Sequence, residues 1–306
     1  MYKFFLLLLL CCSVTVNAQT VRIIVPFAQG GFGDRIARVL EKTLTNKLPY
    51  NFIVDYQLGA GGIIASNNVA KNSSKETVLL LHSTAIVIGT FSPAANYDLL
   101  KDFVPVAKLG VVPLILVTNR QTGITNIQQL KQSNSPLFYA TSGIGSANHM
   151  AGEILQSKLN KPLTHVPYKG ESAGFNDILS NNVTMMFASA TIVAGHVNSS
   201  QISMTAITGT QRNANFPNVP TFAEQGIRGF ERSPSWNVLL ANPGADRVVI
   251  SQIKAGIEES LKNSQDQGLY AGAGIDLDPL PTTGVLEFLA EEIEKVKHYQ
   301  NKLFLK

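Results

Sequence analysis

Cysteine is nearly missing from this 306-residue chain: the only two, Cys11 and Cys12, sit side by side near the N-terminus. That excludes a disulfide scaffold, a cysteine-ligated zinc or iron–sulfur site and a CxxC redox centre. Charge is sparse too, at 15% Asp, Glu, Lys and Arg with a net charge of +4. No lysine–arginine block occurs, so nucleic acid is not an expected partner. The five histidines never take an H-E-x-x-H or comparable spacing, so no metal site is expected, and no cofactor motif is present. Glycine and proline counts of 24 and 14 are ordinary and exclude a collagen-like or low-complexity chain. Long apolar runs are missing except for one, residues 4–12. What is present is 45% hydrophobic residues, enough for a sizeable core, in a length that suggests about two domains.

The apolar run follows Lys3 and is followed by Val16-Asn17-Ala18, a small-residue end resembling an A-x-A cleavage site. Nine apolar residues are too few to span ~30 Å of hydrocarbon as a helix. Residues 1–18 therefore read as a signal peptide cut after Ala18, in preference to a retained anchor, and the expected location is periplasmic. Leu10 before Cys11 speaks against a lipoprotein signal. Cleavage removes both cysteines and Lys3, taking the net charge from +4 to +3.

Beyond that point, short β-rich runs alternate with helical patterns. Residues 21–27, 51–56, 77–81, 137–140, 164–166, 183–187, 202–207 and 236–241 read as strands. Ile36, Leu40, Leu44 and Leu48 repeat every four residues, as on one helix face. Residues 146–159 and 246–261 read as further helices, and Val285 to Val296 as a last one that Thr282 or Thr283 can cap. The alternation predicts an α/β fold with mainly parallel sheets flanked by helices. No linker of Ser/Gly or Pro-rich composition separates two halves. Two lobes must then be joined through ordered segments, for which 111–118, interrupted by Pro113, and 236–241 are the candidates. That divides the chain into lobe one, 19–112 plus 240–306, and lobe two, 113–239.

Two glycine-rich loops each join a strand to a helix. The first contains Phe27, Gly30, Gly31, Phe32, Gly33 and Asp34. Open amides and a helix N-terminus form an anion site that needs no cationic side chain. Ile36 stands where a Rossmann fingerprint counted from Gly31 needs glycine, so a dinucleotide is excluded, and no P-loop motif occurs. Asp34 reads as a helix N-cap. Phe27 and Phe32 either wall a site or pack in the core. The second loop contains Ser142, Gly143, Gly145, Ser146, Asn148 and His149. Ser142 and Ser146 read equally as helix caps and as ligand contacts. His149 reads as a structural histidine in preference to a catalytic one, because the fragment is not G-x-S-x-G and no acid is placed to orient it. Tyr168 and Lys169 follow one strand, Ser83 and Thr84 another. All lie at carboxyl ends of strands, where α/β sheets bind ligands.

Several segments resemble the Bug-type substrate-binding proteins of tripartite tricarboxylate transporters. They are Val25-Pro26-Phe27 with Gly30-Gly31 and Asp34; Gly59-Ala60-Gly61-Gly62; Tyr97 through Ala107; Tyr139 through Glu153; His165 through Gly170; Pro217 through Gly226; and Trp236 through Gly244. They run in family order across nearly the whole chain. The resemblance implies a periplasmic receptor whose two α/β lobes close like a flytrap on a small carboxylate. It implies delivery to the membrane permease subunits of a tripartite carrier and, in some members, signalling to a sensor kinase. It assigns Gly31, Phe32 and Asp34 to the first binding loop and Ser142, Gly145, Ser146 and His149 to the second. Two departures stand out: Ala188 replaces the family's usual acid, and Tyr56-Gln57-Leu58 its usual Asn-Arg-Pro. The reading is a solute receptor, not an enzyme. Its rival is an exported hydrolase-like α/β enzyme using Ser142 or Ser146 with His149.

Overall fold

The computed structural model describes residues 19–27, 29–30, 32–233, 235–280 and 282–304. The expected signal peptide and both cysteines lie outside the described residues.

The strands are β1 (Thr20–Val25), β2 (Asn51–Tyr56), β3 (Val78–Ser83), β4 (Val104–Val111), β5 (Leu114–Asn119), β6 (Phe138–Thr141), β7 (Thr164–Pro167), β8 (Met185–Ser189), β9 (Ile202–Ile207), β10 (Trp236–Ala241) and β11 (Asp276–Leu280). The helices are α1 (Phe32–Thr45), α2 (Ile63–Ala70), α3 (Ala85–Gly89), α4 (Ile127–Gln132), α5 (Ala147–Leu159), α6 (Glu171–Leu179), α7 (Ala190–Ala194), α8 (Arg247–Lys262), α9 (Ser264–Gly272) and α10 (Thr282–Phe304). They build two sheets, one ordered β11-β4-β10-β3-β1-β2 and the other β7-β6-β8-β5-β9.

Parallel pairing holds within the βα units, β1 with β2 and β3, and β6 with β7 and β8. The sheets as wholes are mixed. β10 runs antiparallel between β3 and β4, β11 antiparallel beside β4, and β5 antiparallel between β8 and β9. The reason lies in how the chain crosses. The apolar stretch 111–118, expected as one strand, is two: β4 ends the first sheet and β5 begins the second, with only Val112 and Pro113 between them. The proline N–H is missing at the break, where no ladder bond is needed. The return crossing lies before Trp236, because β10 pairs with the first sheet along its whole length. The two crossings run side by side: Val112 N–H donates to the Ser235 carbonyl at 2.7 Å, and Ser233 Oγ donates to the Val112 carbonyl at 2.6 Å.

Amphipathic helices close the faces. Ile36, Ala37, Leu40 and Leu44 of α1 are fully buried beside the β1 and β3 residues Val21, Ile23, Val25, Leu79 and Leu81. The last helix starts at Thr282, and the residue before it lies outside the described residues. It packs on β4, α3 and also α5, tying the C-terminus to both sheets. Glu292 on this helix accepts the indole N–H of buried Trp236 at 2.8 Å, which locks it to the start of β10. None of the helices is long and apolar enough to cross a membrane among the described residues.

Candidate functional site

Parallel βα units carry their strand ends to one edge of each sheet, and the expected loops sit there. After β1, helix α1 already begins at Phe32, so Asp34 is its third residue and not its N-cap. It reaches back instead: Asp34 Oδ2 accepts the Gly30 N–H at 2.8 Å, and Oδ1 accepts the Tyr56 hydroxyl at 2.5 Å and Arg38 Nε at 3.3 Å. Burial pushes its carboxyl up, but the bonds from Tyr56 and Gly30 and the Arg38 charge outweigh this and hold it below the usual range. The carboxylate thus fastens its own loop. Gly31 lies outside the described residues. Phe27 is half-buried, its ring edge-on to His82 at 5.4 Å, and packs against the core. Phe32 is half-buried under the Arg35 guanidinium, which lies 5.8 Å from its ring centre.

At the end of β3, His82 is 1% exposed and accepts the Ser83 N–H on Nδ1 at 2.9 Å. Burial lowers its pKa to about 4, with backbone hydrogen bonding at Ser83 and Gly62 only opposing this, so it is neutral at physiological pH. Thr84 is buried and accepts the Trp236 N–H at 3.4 Å. Ser83 is half-buried, with Oγ accepting the Ala85 N–H at 3.4 Å.

The second loop is organised by Asn148, to which the sequence assigned no role. Its Oδ1 accepts Ser142 N–H at 3.2 Å and Ser142 Oγ at 2.9 Å, and lies 2.6 Å from Ser146 Oγ. Ser146 is the N-cap of α5, its Oγ accepting the His149 N–H at 3.3 Å, so the cap reading applies to it. Gly145 differs from expectation: its N–H is not open but donates to His149 Nδ1 at 3.1 Å. His149 is buried, stacked on His165 at 3.9 Å between ring centres, with Nε2 4.0 Å from Glu153 Oε1. Glu153 is therefore the acid near His149, one helical turn on, and it also accepts the Tyr139 hydroxyl at 2.7 Å. With Ser146 Oγ engaged as a cap and His149 Nδ1 on a backbone amide, the pair is set as loop architecture. The Ile144, Ala147 and Asn148 N–H groups find no acceptor among the described residues, so three donors remain at this helix start.

Tyr168 turns away from the loops and donates its hydroxyl to Asp177 at 2.6 Å, and burial with this carboxylate pushes its pKa up to about 12. Lys169 is exposed. Ala188 is fully buried in β8 opposite Ile115. A carboxylate does reach this strand end, but from α6: Glu171 accepts Ser189 N–H on Oε1 and Ser189 Oγ at 2.8 Å on Oε2. Nothing in the sequence pairs residues 171 and 189, because only the fold brings a helix start to a strand end.

The two sheets' loops meet. Arg35 Nη2 on α1 donates to Thr191 Oγ1 on α7 at 3.2 Å. Gly274, with φ +87°, lies so near that a β-carbon would be 2.0 Å from Thr191 Cγ2 and 3.7 Å from Phe32. A β-carbon on Gly145 would be 3.0 Å from Ile88 of α3. A separate cavity of about 520 Å³ opens at the crossings, lined in part by Val111, Pro113, Arg212 and Asp276. No cluster of three or more potential metal ligands occurs among the described residues.

This arrangement of two α/β sheets with facing strand-end loops is that of two-lobe periplasmic binding proteins. R. palustris Rpa4515 with adipate superposes with a TM-score of 0.82 at 23% identity, over 94% of this chain and 98% of that one. MatC from Rhodopseudomonas palustris with bound malate gives 0.77 at 23%, over 92% and 98%. Periplasmic binding protein BugD gives 0.79 at 24%, over 92% and 97%. At these identities the likeness defines the fold. The sequence goes further: the tripartite tricarboxylate transporter family receptor profile (TctC) matches residues 36–305. BugT of Bordetella pertussis is 32% identical over 291 residues, 92% of this chain and 88% of that one. The protein in the tcbD-tcbE intergenic region of Pseudomonas sp. strain P51 is 32% identical over 244 residues, 78% and 72%. The chain belongs to the tripartite tricarboxylate transporter receptor family and is of the Bug type.

Proposed function

We propose that the chain is an extracytoplasmic receptor that holds one small carboxylate between two lobes and hands it, unaltered, to the membrane permease subunits of its carrier. Lobe one is residues 19–112 with the C-terminal part from about 235, and lobe two is the stretch between. Support for this division comes from the sheet membership of β4, β5 and β10 and from the paired crossings at 112 and 235. The observation that carries the reading is the start of α5. Three N–H groups there lack an acceptor among the described residues, and the loop around them is tied down by Asn148 and His149. Fixed donors at a helix N-terminus suit a carboxylate without a cationic side chain. Neighbours of this fold were solved with malate and with adipate, which makes dicarboxylates the first candidates. Phe27 and Phe32 belong to the site as its apolar wall, and Ser83, Thr84 and Ser142 as its hydroxyl-bearing edge. Asp34, Gly145, Ser146 and His149 shape the loops.

Calorimetry and thermal melting against malate, succinate, adipate and citrate test this. A bound acid at 100 times its Kd raises stability by about 2.7 kcal/mol. No heat and no melting shift with any carboxylate contradicts the proposal, as does chemical conversion of the ligand.

A further inference from the structure

We infer that Glu171 sets the specificity of this site, favouring carboxylates that also carry a protonated nitrogen over plain dicarboxylates; this rests on the carboxylate-receptor reading. Glu171 opens α6 directly beside the second loop, where the preceding Gly170 N–H donates to the Ser142 carbonyl at 3.3 Å. Its carboxylate is turned to the end of β8 and, among the described residues, takes both of its hydrogen bonds from Ser189. From there a chain of hydroxyls crosses between the lobes. Ser189 Oγ lies 3.0 Å from Thr191 Oγ1, which accepts Arg35 Nη2 at 3.2 Å. Because the Ser189 proton goes to Glu171, Thr191 donates to Ser189, and the chain runs one way from guanidinium to carboxylate.

That chain leaves Glu171 short of positive charge. A carboxylate offers about four lone-pair sites, and two are filled. Among the described residues no lysine, arginine or histidine nitrogen comes within 4.0 Å of it, and Arg35 acts only from beyond the two hydroxyls. Burial pushes its carboxyl up, with the Ser189 bonds and the Arg35 charge only opposing this. A half-buried anion beside donors built for another anion repels a second carboxylate and is completed by an ammonium group. Such a site discriminates by both the attractive and the repulsive contact. Arg35 on the facing lobe supplies the opposite charge, so a zwitterion meets a complementary sign at either wall.

The test is calorimetry on the full chain with two matched pairs: succinate against L-aspartate, and adipate against 6-aminohexanoate. The expected result is at least about tenfold tighter binding of the amine-bearing member of a pair. Glu171→Gln keeps an acceptor for Ser189 while removing the charge, and should bring the ratio to about one. The wild-type ratio decides the matter even where the variant's melting curve shows that it has not folded. Plain diacids binding wild type as tightly as their amine partners, or a folded Glu171→Gln protein with an unchanged ratio, overturns the assignment and leaves the receptor reading standing. Binding confined to carboxylates outside both pairs overturns it as well. No binding of any carboxylate removes both.

Discussion

Gly62 shows how tightly single residues are fixed around the site. Its φ is +96°, and a β-carbon would lie 2.3 Å from His82 Nε2 and 3.1 Å from Pro26. Gly62→Ala therefore combines left-handed strain with displacement of a buried ring, and should cost about 3 kcal/mol in a urea titration. His82 itself makes a pH prediction. Its folded pKa of about 4 is below the ordinary 6.5, so its stability contribution is complete above pH 6.5 and is lost as pH falls toward 4. About 3 kcal/mol disappears over that window. Asp34 is also depressed in the folded state, so its contribution is present above its unfolded pKa and is lost on further acidification, below about pH 4. His82→Gln should flatten the slope between pH 6.5 and 4 and leave the lower limb in place. Urea midpoints at pH 7, 5 and 3.5 check both, and equal slopes in the two proteins would contradict the assignment. Residue roles were only partly legible beforehand. Ser146 as a cap was one of two readings that its type and position left equal, whereas the Gly145–His149 bond needs the helix to bring i+4 round to the loop.

Among the elements, the caps separate stability from binding. Asp246 caps α8 by accepting the Val248 and Val249 N–H groups at 2.7 and 3.3 Å, far from the loops. Ser146 caps α5 inside the second loop. Each replacement by alanine should cost about 1 kcal/mol. Asp246→Ala should leave carboxylate affinity as it was, while Ser146→Ala should also weaken it, because the loop loses its link to Asn148. Paired melting and calorimetry distinguish the two. Helices with an apolar stripe, such as α1 and α8, and strands of β-branched and other apolar residues, such as β2, β9 and β10, could be read from residue type and periodicity. β4 could not. It holds Pro105 and a fully buried Lys108, whose Nζ meets Asp278 Oδ2 at 2.6 Å, and a lysine that pairs 170 positions away reads as surface. β11 holds Asp276, Asp278 and Pro279, which look like loop composition. Glu171 was missed because its partner lies on another element.

For the whole molecule, the two lobes approach each other where Gly274 faces Thr191. A β-carbon there would be 2.0 Å from Thr191 Cγ2, so Gly274→Ala should hold the lobes apart. The competent closed form becomes a minor population, and apparent affinity falls by about tenfold or more. Thr191→Ser removes the obstructing methyl but keeps the hydroxyl that Arg35 uses, so the double variant should regain most of the loss. Small-angle scattering should show a larger radius of gyration for the single variant than for the double one. The two-lobe plan itself was legible from strand–helix alternation and the absence of a linker. Where the chain crosses was half legible: Pro113 marked one crossing, but Trp236–Ala241 looked like the other because a buried strand, apolar but for Asn237, carries no sign of which sheet it joins.

The most direct test of a carboxylate gripped between the two loops is amide NMR mapping of the isotope-labelled protein titrated with whichever carboxylate calorimetry shows to bind. Shifts concentrated at residues 27–34, 142–149 and 188–191, with the Ile144, Ala147 and Asn148 amides moved most, are predicted. Shifts centred instead on the Arg247–Lys254 face of α8 or on the cavity at the crossings, with the two loops unmoved, would contradict the account.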